Sequence, residues 1–397
     1  MRPTADSPII TGRGMYVPDD VLSNEDIARL LDPRWLATWV DESPWCQQRI
    51  RVLRAESALS GASRDQLDRR AFVDYVHQRI GIRRRHVVDR SAILERRRST
   101  AGVFGSDLGA RAAQQALDAA GVSAAEVDVV ICGTSSPDRV YPATAVEIQD
   151  RIGAGDAYGY DLLAACSSFV YGLEMARGLL VAGLCRRALV VAAEYFTCAV
   201  DYRDPSNSFF WGDAAAAVLM EAAHLGSPKG GYQLLDGYCR SQLSQNIRTG
   251  LGGTRPFVAG CGIAPASGDA AEPGGPDYPY FYQNGPMVYR EVIPLVARAT
   301  KTILERNGCG VGDIRLFMFH QASTLVLDGI KKRLFKDETP SDRVPMNLVE
   351  YGNTSSCGAA ICLVEEAVMG AGELACMTAF GGGYTIGAAL LRKVAPA

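Results

Sequence analysis

The strongest constraint on this chain is that it carries one run of elements twice. Gly109–Ser136 reads GARAAQQALDAAGVSAAEVDVVICGTSS, and Val296–Ser323 reads VARATKTILERNGCGVGDIRLFMFHQAS. In each, apolar residues recur at helical spacing until a glycine, Gly121 or Gly308, of the kind that ends helices. An acidic turn follows (Glu126, Asp313), then a short apolar run of buried-strand type, Val127–Cys132 or Ile314–Phe319. The offset between the copies is 187 residues, from 109 to 296. Carried forward, it lays Asp161–Ala176 against Leu348–Leu363 and the strand-like Ala188–Tyr195 against Ala375–Gly382. It sets Cys166 opposite Asn353 and Gly133 opposite His320. Gly212–Met220 matches Gly383–Leu391 at a shorter offset, so residues 196–211 read as an insertion in the first copy.

Helix alternating with apolar strand, twice over, predicts an α/β protein of two similar halves, residues 1–222 and 223–397. Two regions fall outside the repeat. Residues about 20–70 read as a Trp- and charge-rich helical insertion in the first half. The Gly/Pro/Tyr-rich residues 250–285 suit a structured loop or lid over a site. The basic clusters Arg83–Arg85 and Arg96–Arg98 read as solvated faces, or as contacts for an acidic partner or a phosphate.

Composition narrows the function. Lys plus Arg number 41 and Asp plus Glu 44, so the chain lacks the basic surplus of a nucleic-acid binder. The 11 Cys are odd in number and show no paired spacing, which excludes a disulfide framework and favours a reducing compartment. Met1–Tyr16 has no signal-like apolar core, and no apolar run is long enough to span a bilayer. A soluble, cytoplasmic protein without membrane contact is expected.

Of the four His, His77, His86 and His224 lie in polar or turn-like sequence and read as surface residues. His320 differs, because it ends the apolar run LFMF. The carboxyl end of a buried parallel strand is where open α/β sheets place their sites. Cys166 follows a strand-like segment and opens the helix-like Ser167–Leu180. A thiol there sees the positive end of the helix dipole, which predicts a lowered pKa. Asn353 occupies the equivalent turn of the second copy, inside YGNTSS. The three residues should face one crevice between the halves, as a nucleophile with two hydrogen-bonding groups. Gly381–Gly383 lack the spacing of a dinucleotide fingerprint, and no Walker loop or metal spacing occurs, so no cofactor is implied.

At this point the residues carry a resemblance. RIGIRRRHV (Arg79–Val87), AACSS (Ala164–Ser168), WGDAAAAVL (Trp211–Leu219), HQAS (His320–Ser323), YGNTSS (Tyr351–Ser356) and FGGGYTIGAALL (Phe380–Leu391) stand in order and spacing. Together they resemble the β-ketoacyl-acyl carrier protein synthase III branch of the thiolase superfamily. The resemblance implies a thiolase fold, a duplicated five-layer αβαβα sandwich, in a homodimeric acyltransferase. It implies that Cys166 is acylated by a thioester of coenzyme A or acyl carrier protein. His320 and Asn353 would then bind the thioester oxygen of a malonyl-type extender, and the backbone N–H groups of Cys166 and Gly382 would form an oxyanion hole.

The departures from the family pattern bear on substrate. Tyr75 stands where a Trp often stacks on adenine in relatives using coenzyme A, just before Arg79 of the basic motif. Ser323-Thr324-Leu325 replaces the familiar Asn-Leu-Arg, removing a basic carrier contact for which Arg residues of the 20–70 segment could substitute. Tyr141 takes the position that reaches into the partner subunit's acyl tunnel, and Phe196, Trp211 and Phe380 are expected to line the pocket. These differences favour specialised lipid or polyketide biosynthesis, for example of the dialkylresorcinol type, by Claisen condensation with a malonyl- or β-ketoacyl-type thioester. Two alternatives stand beside it: acyl transfer to an oxygen or nitrogen nucleophile, and a non-catalytic scaffold partner of a ketosynthase.

Overall fold

The computed structural model describes residues 7–56, 61–97, 99–226, 229–249, 280–335 and 341–396. The loop expected over 250–285 therefore lies outside the described residues up to position 279.

Nine strands build the sheet framework: β1 (Ile9–Tyr16), β2 (Val129–Gly133), β3 (Tyr158–Leu162), β4 (Arg187–Glu194), β5 (Ala214–Glu221), β6 (Gly231–Ser241), β7 (Ile314–Phe319), β8 (Leu374–Gly381) and β9 (Thr385–Val394). Hydrogen bonding links them in the order β7-β8-β9-β6-β1-β5-β4-β2-β3. The middle of this series is a narrow seam, where β1 and β6 share only the pairs Ile9–Gln233 and Ile10–Tyr232. From the seam, each arm begins with two antiparallel pairings and then turns parallel, at β4–β2 in one arm and β8–β7 in the other. The strand order thus repeats, and β4 and β8 correspond at the offset of 187 from their first residues to their last.

Helices fall on three levels. The outer layer of the first arm is α5 (Gly105–Ala120) with α6 (Thr144–Ile152), packed through Leu108, Ala112, Ala116 and Ile148. Gly121, at φ +75°, ends α5. The centre holds α7 (Ser168–Val181) and α10 (Cys357–Val364), whose apolar residues join one core with strands of both arms. On the far side lie α8 (Gly285–Arg306) and α9 (Thr324–Phe335). Helix, sheet, helix, sheet, helix makes five layers. Strands β2 and β5 are buried at every position, which explains their unbroken Val/Ala/Ile/Leu runs.

The segment ahead of α5 forms a cap. Its helices α1 (Asn24–Leu30), α2 (Pro33–Glu42), α3 (Pro44–Ala55) and α4 (Arg64–Tyr75) begin at side-chain caps from Ser23, Asp32, Ser43 and Ser63. They bury Leu36, Val40, Leu53 and Phe72 against Phe196, Phe209, Phe210 and Trp211 of the 196–211 insertion. The two insertions therefore complete one another. The arginines here are largely matched by acids: Arg29–Asp26, Arg34–Asp32, Arg49–Asp74, Arg64–Asp68 and Arg69–Asp65 are ion pairs. They are poor substitutes for a free basic docking surface.

Two expectations are overturned. Arg85 is not part of a solvated face but is fully buried. His86 is half-buried, with Nδ1 2.6 Å from the Pro18 carbonyl oxygen. His77 and His224 are exposed. Among the described residues no helix is long and apolar enough to cross a membrane.

Candidate active site

The site gathers where strand ends meet the two central helices. Strand β3 leads into a 3₁₀ turn, Ala165–Ser167, from which α7 begins. Ala165 has φ +48°, in the left-handed region that a residue with a Cβ rarely enters. Gly352, 187 residues on, repeats that sign at φ +70° just ahead of Asn353. Both functional turns thus bend the same way immediately before the residue they present. The approach of β8 is equally tight, because a Cβ on Gly381 would lie 2.6 Å from the Cys166 backbone nitrogen.

Cys166, His320 and Asn353 line a single cavity of about 780 Å³. Its wall also includes Trp39, Tyr75, Phe209, Phe210, Trp211 and Phe281, so much of it is aromatic and drawn from the cap and the insertion. Gly382 and Phe380 line it as well. Of the other residues expected there, Phe196 does not: it packs against Trp211 in a tilted pair, with ring centroids 4.0 Å apart. Tyr141 is 83% exposed and stands away from the cavity of its own chain. Tyr75 is one of a cluster, meeting Trp39 and Trp45 edge to face. Arg79 is exposed outside the lining, where its neighbour Ile80 is found.

The electrostatics differ from the helix-dipole expectation. Burial pushes the Cys166 thiol up to about 12, and the hydrogen bond from the Ser355 hydroxyl (3.5 Å to Sγ) only partly offsets it. Desolvation of the thiolate outweighs the field of the helix terminus. His320 is buried at the end of β7, and burial lowers its pKa to about 3, against a small opposing effect from the Ser355 backbone. It is neutral at pH 7. Its ring meets Phe380 edge to face at 5.0 Å, and Nδ1 has no hydrogen-bond partner among the described residues.

Asn353 is held at both backbone polar groups: its N–H donates to Phe210 O (2.7 Å), and its C=O accepts from Gly212 N (3.1 Å). Its Oδ1 accepts from Ser355 N at 2.9 Å, which leaves the side-chain NH₂ to face the cavity. Ser355, itself at φ +51°, therefore touches the Cys166 thiol, the Asn353 amide and, across the halves, the Ser135 hydroxyl at 3.2 Å. Gln321 is a second unanticipated member. Its amide donates to Phe319 O and accepts from Asn347 N and Leu348 N, tying the His320 strand end to the segment before Asn353. The motifs HQAS and YGNTSS contain both residues, but nothing in them says which side chains turn inward. Among the described residues no three His, Cys, Asp or Glu side chains are grouped to hold a metal ion.

A duplicated five-layer sandwich with a half-buried cysteine at the start of a central helix, lining the cavity, defines an acyltransferase of the thiolase fold. The comparisons with known proteins give the family. Residues 160–239 match the model of 3-oxoacyl-[acyl-carrier-protein (ACP)] synthase III, and residues 304–393 match that of its C-terminal part. Beta-ketoacyl-[acyl-carrier-protein] synthase III of Roseiflexus sp. (strain RS-1) is 32% identical over 97% of this chain and 98% of its own. The 3-oxoacyl-(acyl carrier protein) synthase III structure from Pseudomonas aeruginosa PAO1 is 27% identical, with TM-score 0.70 over 97% of this chain and 98% of that one. The fold is shared, at 24% identity and TM-score 0.71, with the priming β-ketosynthase of the R1128 polyketide pathway, over 100% of this chain and 99% of that one. The chain belongs to the β-ketoacyl-acyl carrier protein synthase III family.

Proposed function

We propose that the enzyme joins an acyl group to an extender thioester by decarboxylative Claisen condensation. The observation that carries this reading is the convergence of Cys166, His320 and Asn353 on one cavity, with Ser355 touching both the cysteine and the asparagine. The Cys166 thiolate attacks the carbonyl of an acyl thioester of coenzyme A or acyl carrier protein and expels that carrier's thiol. A malonyl-type thioester then loses CO₂, and the electron pair of the broken C–C bond becomes an enolate. The enolate oxygen takes hydrogen bonds from the Asn353 NH₂ and from neutral His320. The enolate carbon attacks the acyl-cysteine carbonyl, whose oxyanion is received by the backbone N–H groups of Cys166 and Gly382, and Cys166 leaves as thiolate. The products are a β-ketoacyl thioester, CO₂ and the first carrier's thiol. Neutral His320 matters here, because an imidazolium would hold the carboxylate that must depart.

The aromatic wall built by the cap and the insertion supports a specialised substrate, in lipid or polyketide biosynthesis rather than in the priming of ordinary fatty acids. Residues 1–222 would supply the nucleophile and 223–397 the His and Asn. The enzyme works as a cytoplasmic homodimer in this reading. Val140, Tyr141 and Leu163 are 73, 83 and 77% exposed beside the open edge of β3, which suits a subunit interface. Intact-mass analysis after incubation with acyl thioesters of coenzyme A and carrier protein tests the reading. An adduct absent from Cys166→Ala, and malonyl decarboxylation lost in Asn353→Asp, support it. Wild-type decarboxylation by Asn353→Asp, or no adduct with any thioester, refutes it.

A further inference from the structure

Arg85 is a buried cation that the chemistry above does not use. It lies on a short strand, Arg84–His86, with no exposed surface. Among the described residues it has no carboxylate at ion-pair distance. Its guanidinium donates instead to Leu22 O (3.2 Å), Asn24 Oδ1 (2.8 Å) and Phe209 O (2.7 Å). Burying an unpaired charge is costly, so a site that keeps one is held by its hydrogen bonds and by what they organise.

Those bonds lead to Asn353. Phe209, whose carbonyl Arg85 holds, precedes Phe210, whose carbonyl accepts from the Asn353 N–H. Trp211 bridges to Asn353 in parallel register, and Gly212 N donates to the Asn353 carbonyl. Residues 209–212 are therefore a rail along which the Asn353 backbone is laid, and Arg85 fixes one end of it. The stem of the same side chain fills the space behind the rail. A Cβ added at Gly212 or Gly352 would come 3.2 or 3.1 Å from Arg85 Cβ. The neighbouring strand is stitched in as well, since Arg83 N donates to Val349 O and Asp213 N to His86 O. The Cys166 backbone takes its position from other contacts, those of its own turn and of Gly381, and only the thiol reaches Ser355.

We infer that Arg85 is a positioning residue for Asn353, so that it serves the extender half of the reaction and not the loading of Cys166. The inference rests on the role proposed above for Asn353. Its test compares wild type, Arg85→Met, Arg85→Lys and Asn353→Ala in two assays. One is the rate of Cys166 acylation by acetyl-, hexanoyl- and benzoyl-coenzyme A, read by intact mass. The other is CO₂ release from malonyl-coenzyme A and malonyl-carrier protein.

A displacement of the amide by part of an ångström predicts a 10- to 100-fold fall in kcat for decarboxylation in Arg85→Met, as an order of magnitude. KM and the acylation rate should stay within about threefold. Arg85→Lys, which keeps the charge but cannot reach all three acceptors, should fall between the two. Equal losses of acylation and decarboxylation, or full decarboxylation, would overturn the inference. Where Arg85→Met does not fold, Arg85→Lys decides by the same ratio. If Asn353→Ala decarboxylates like wild type, the Asn353 assignment itself fails, which separates the two claims.

Discussion

Replacing Gly381 by alanine should disable the loading of Cys166 without removing any side chain of the site. The added Cβ would lie 2.6 Å from Cys166 N, 2.7 Å from Ala164 O and 2.8 Å from Ala165 Cβ. Ordinary contact begins at 3.4 Å, so relief requires a shift of about 0.8 Å. The atoms in the way belong to the nucleophile turn, already bent to φ +48° at Ala165, and none is the end of a flexible side chain. Misplacement of a reacting group by about 1 Å costs on the order of 100-fold in rate, and overpacking costs about 1–3 kcal/mol of stability. The acylation rate, followed by quenched intact-mass measurement at saturating acyl thioester, should therefore fall by roughly 50- to 100-fold. Gly178→Ala is the contrast: nothing lies within 4 Å, and the position is inside α7. It should acylate normally and gain about 0.5–1 kcal/mol in stability. If Gly381→Ala loads within about threefold of wild type, the nucleophile is not held by this approach and the reasoning fails.

Two further outcomes follow from the same geometry. With the Cys166 thiol pushed up to about 12, the thiolate fraction, and with it the initial acylation rate, should rise nearly tenfold per pH unit between about pH 7 and 9; a plateau above pH 7 would contradict the burial argument. His320, lowered to about 3, gains no proton in the folded state until far below its unfolded value near 6.5. Decarboxylation of the malonyl thioester should accordingly show no acid limb near pH 6.5. Stability should be lost as pH falls below that value, because the unfolded chain binds the proton first. A limb near 6.5 that vanishes in His320→Ala would refute the neutral-donor role. Separately, Tyr141→Asp, at a side chain 83% exposed beside an open sheet edge, should shift the protein toward monomer in sedimentation experiments. An unchanged dimer would remove that face from the interface.

Much of the architecture was legible because the repeat is written in apolar spacing, which survives after residue identity is lost. β4 and β8 fall at the predicted offset since both are buried strands whose composition is dictated by packing on two faces. Cys166, His320 and Asn353 could be singled out because each stands at the edge of such a run, where a polar or reactive residue has no packing reason to be. What could not be read depends on depth. Arg85 lies in an arginine-rich stretch that looks like any solvated face until Gly212 and Gly352 are seen closing over its stem. The sequence places Cys166 at a helix start but carries no measure of how dry that turn is, so the upward push of burial on the thiol is not legible in it. Phe196 lies behind the wall while Trp39 and Phe281 stand in it, which chain order does not reveal, since the wall is assembled from segments far apart in the chain.

The narrow seam between β1 and β6 has a consequence for how the polypeptide is made. β1 is made long before the strands it pairs with, which run from Ala215, opposite Tyr16, to Glu221, opposite Ile9, and continue at Tyr232 and Gln233. At about 5–20 residues per second, the intervening chain takes roughly 10–40 s to synthesise. Through that interval β1 lacks the two strands it pairs with in the finished sheet. The strand that links the two arms in the finished enzyme must therefore be inserted late, between a first arm already built and a second still emerging.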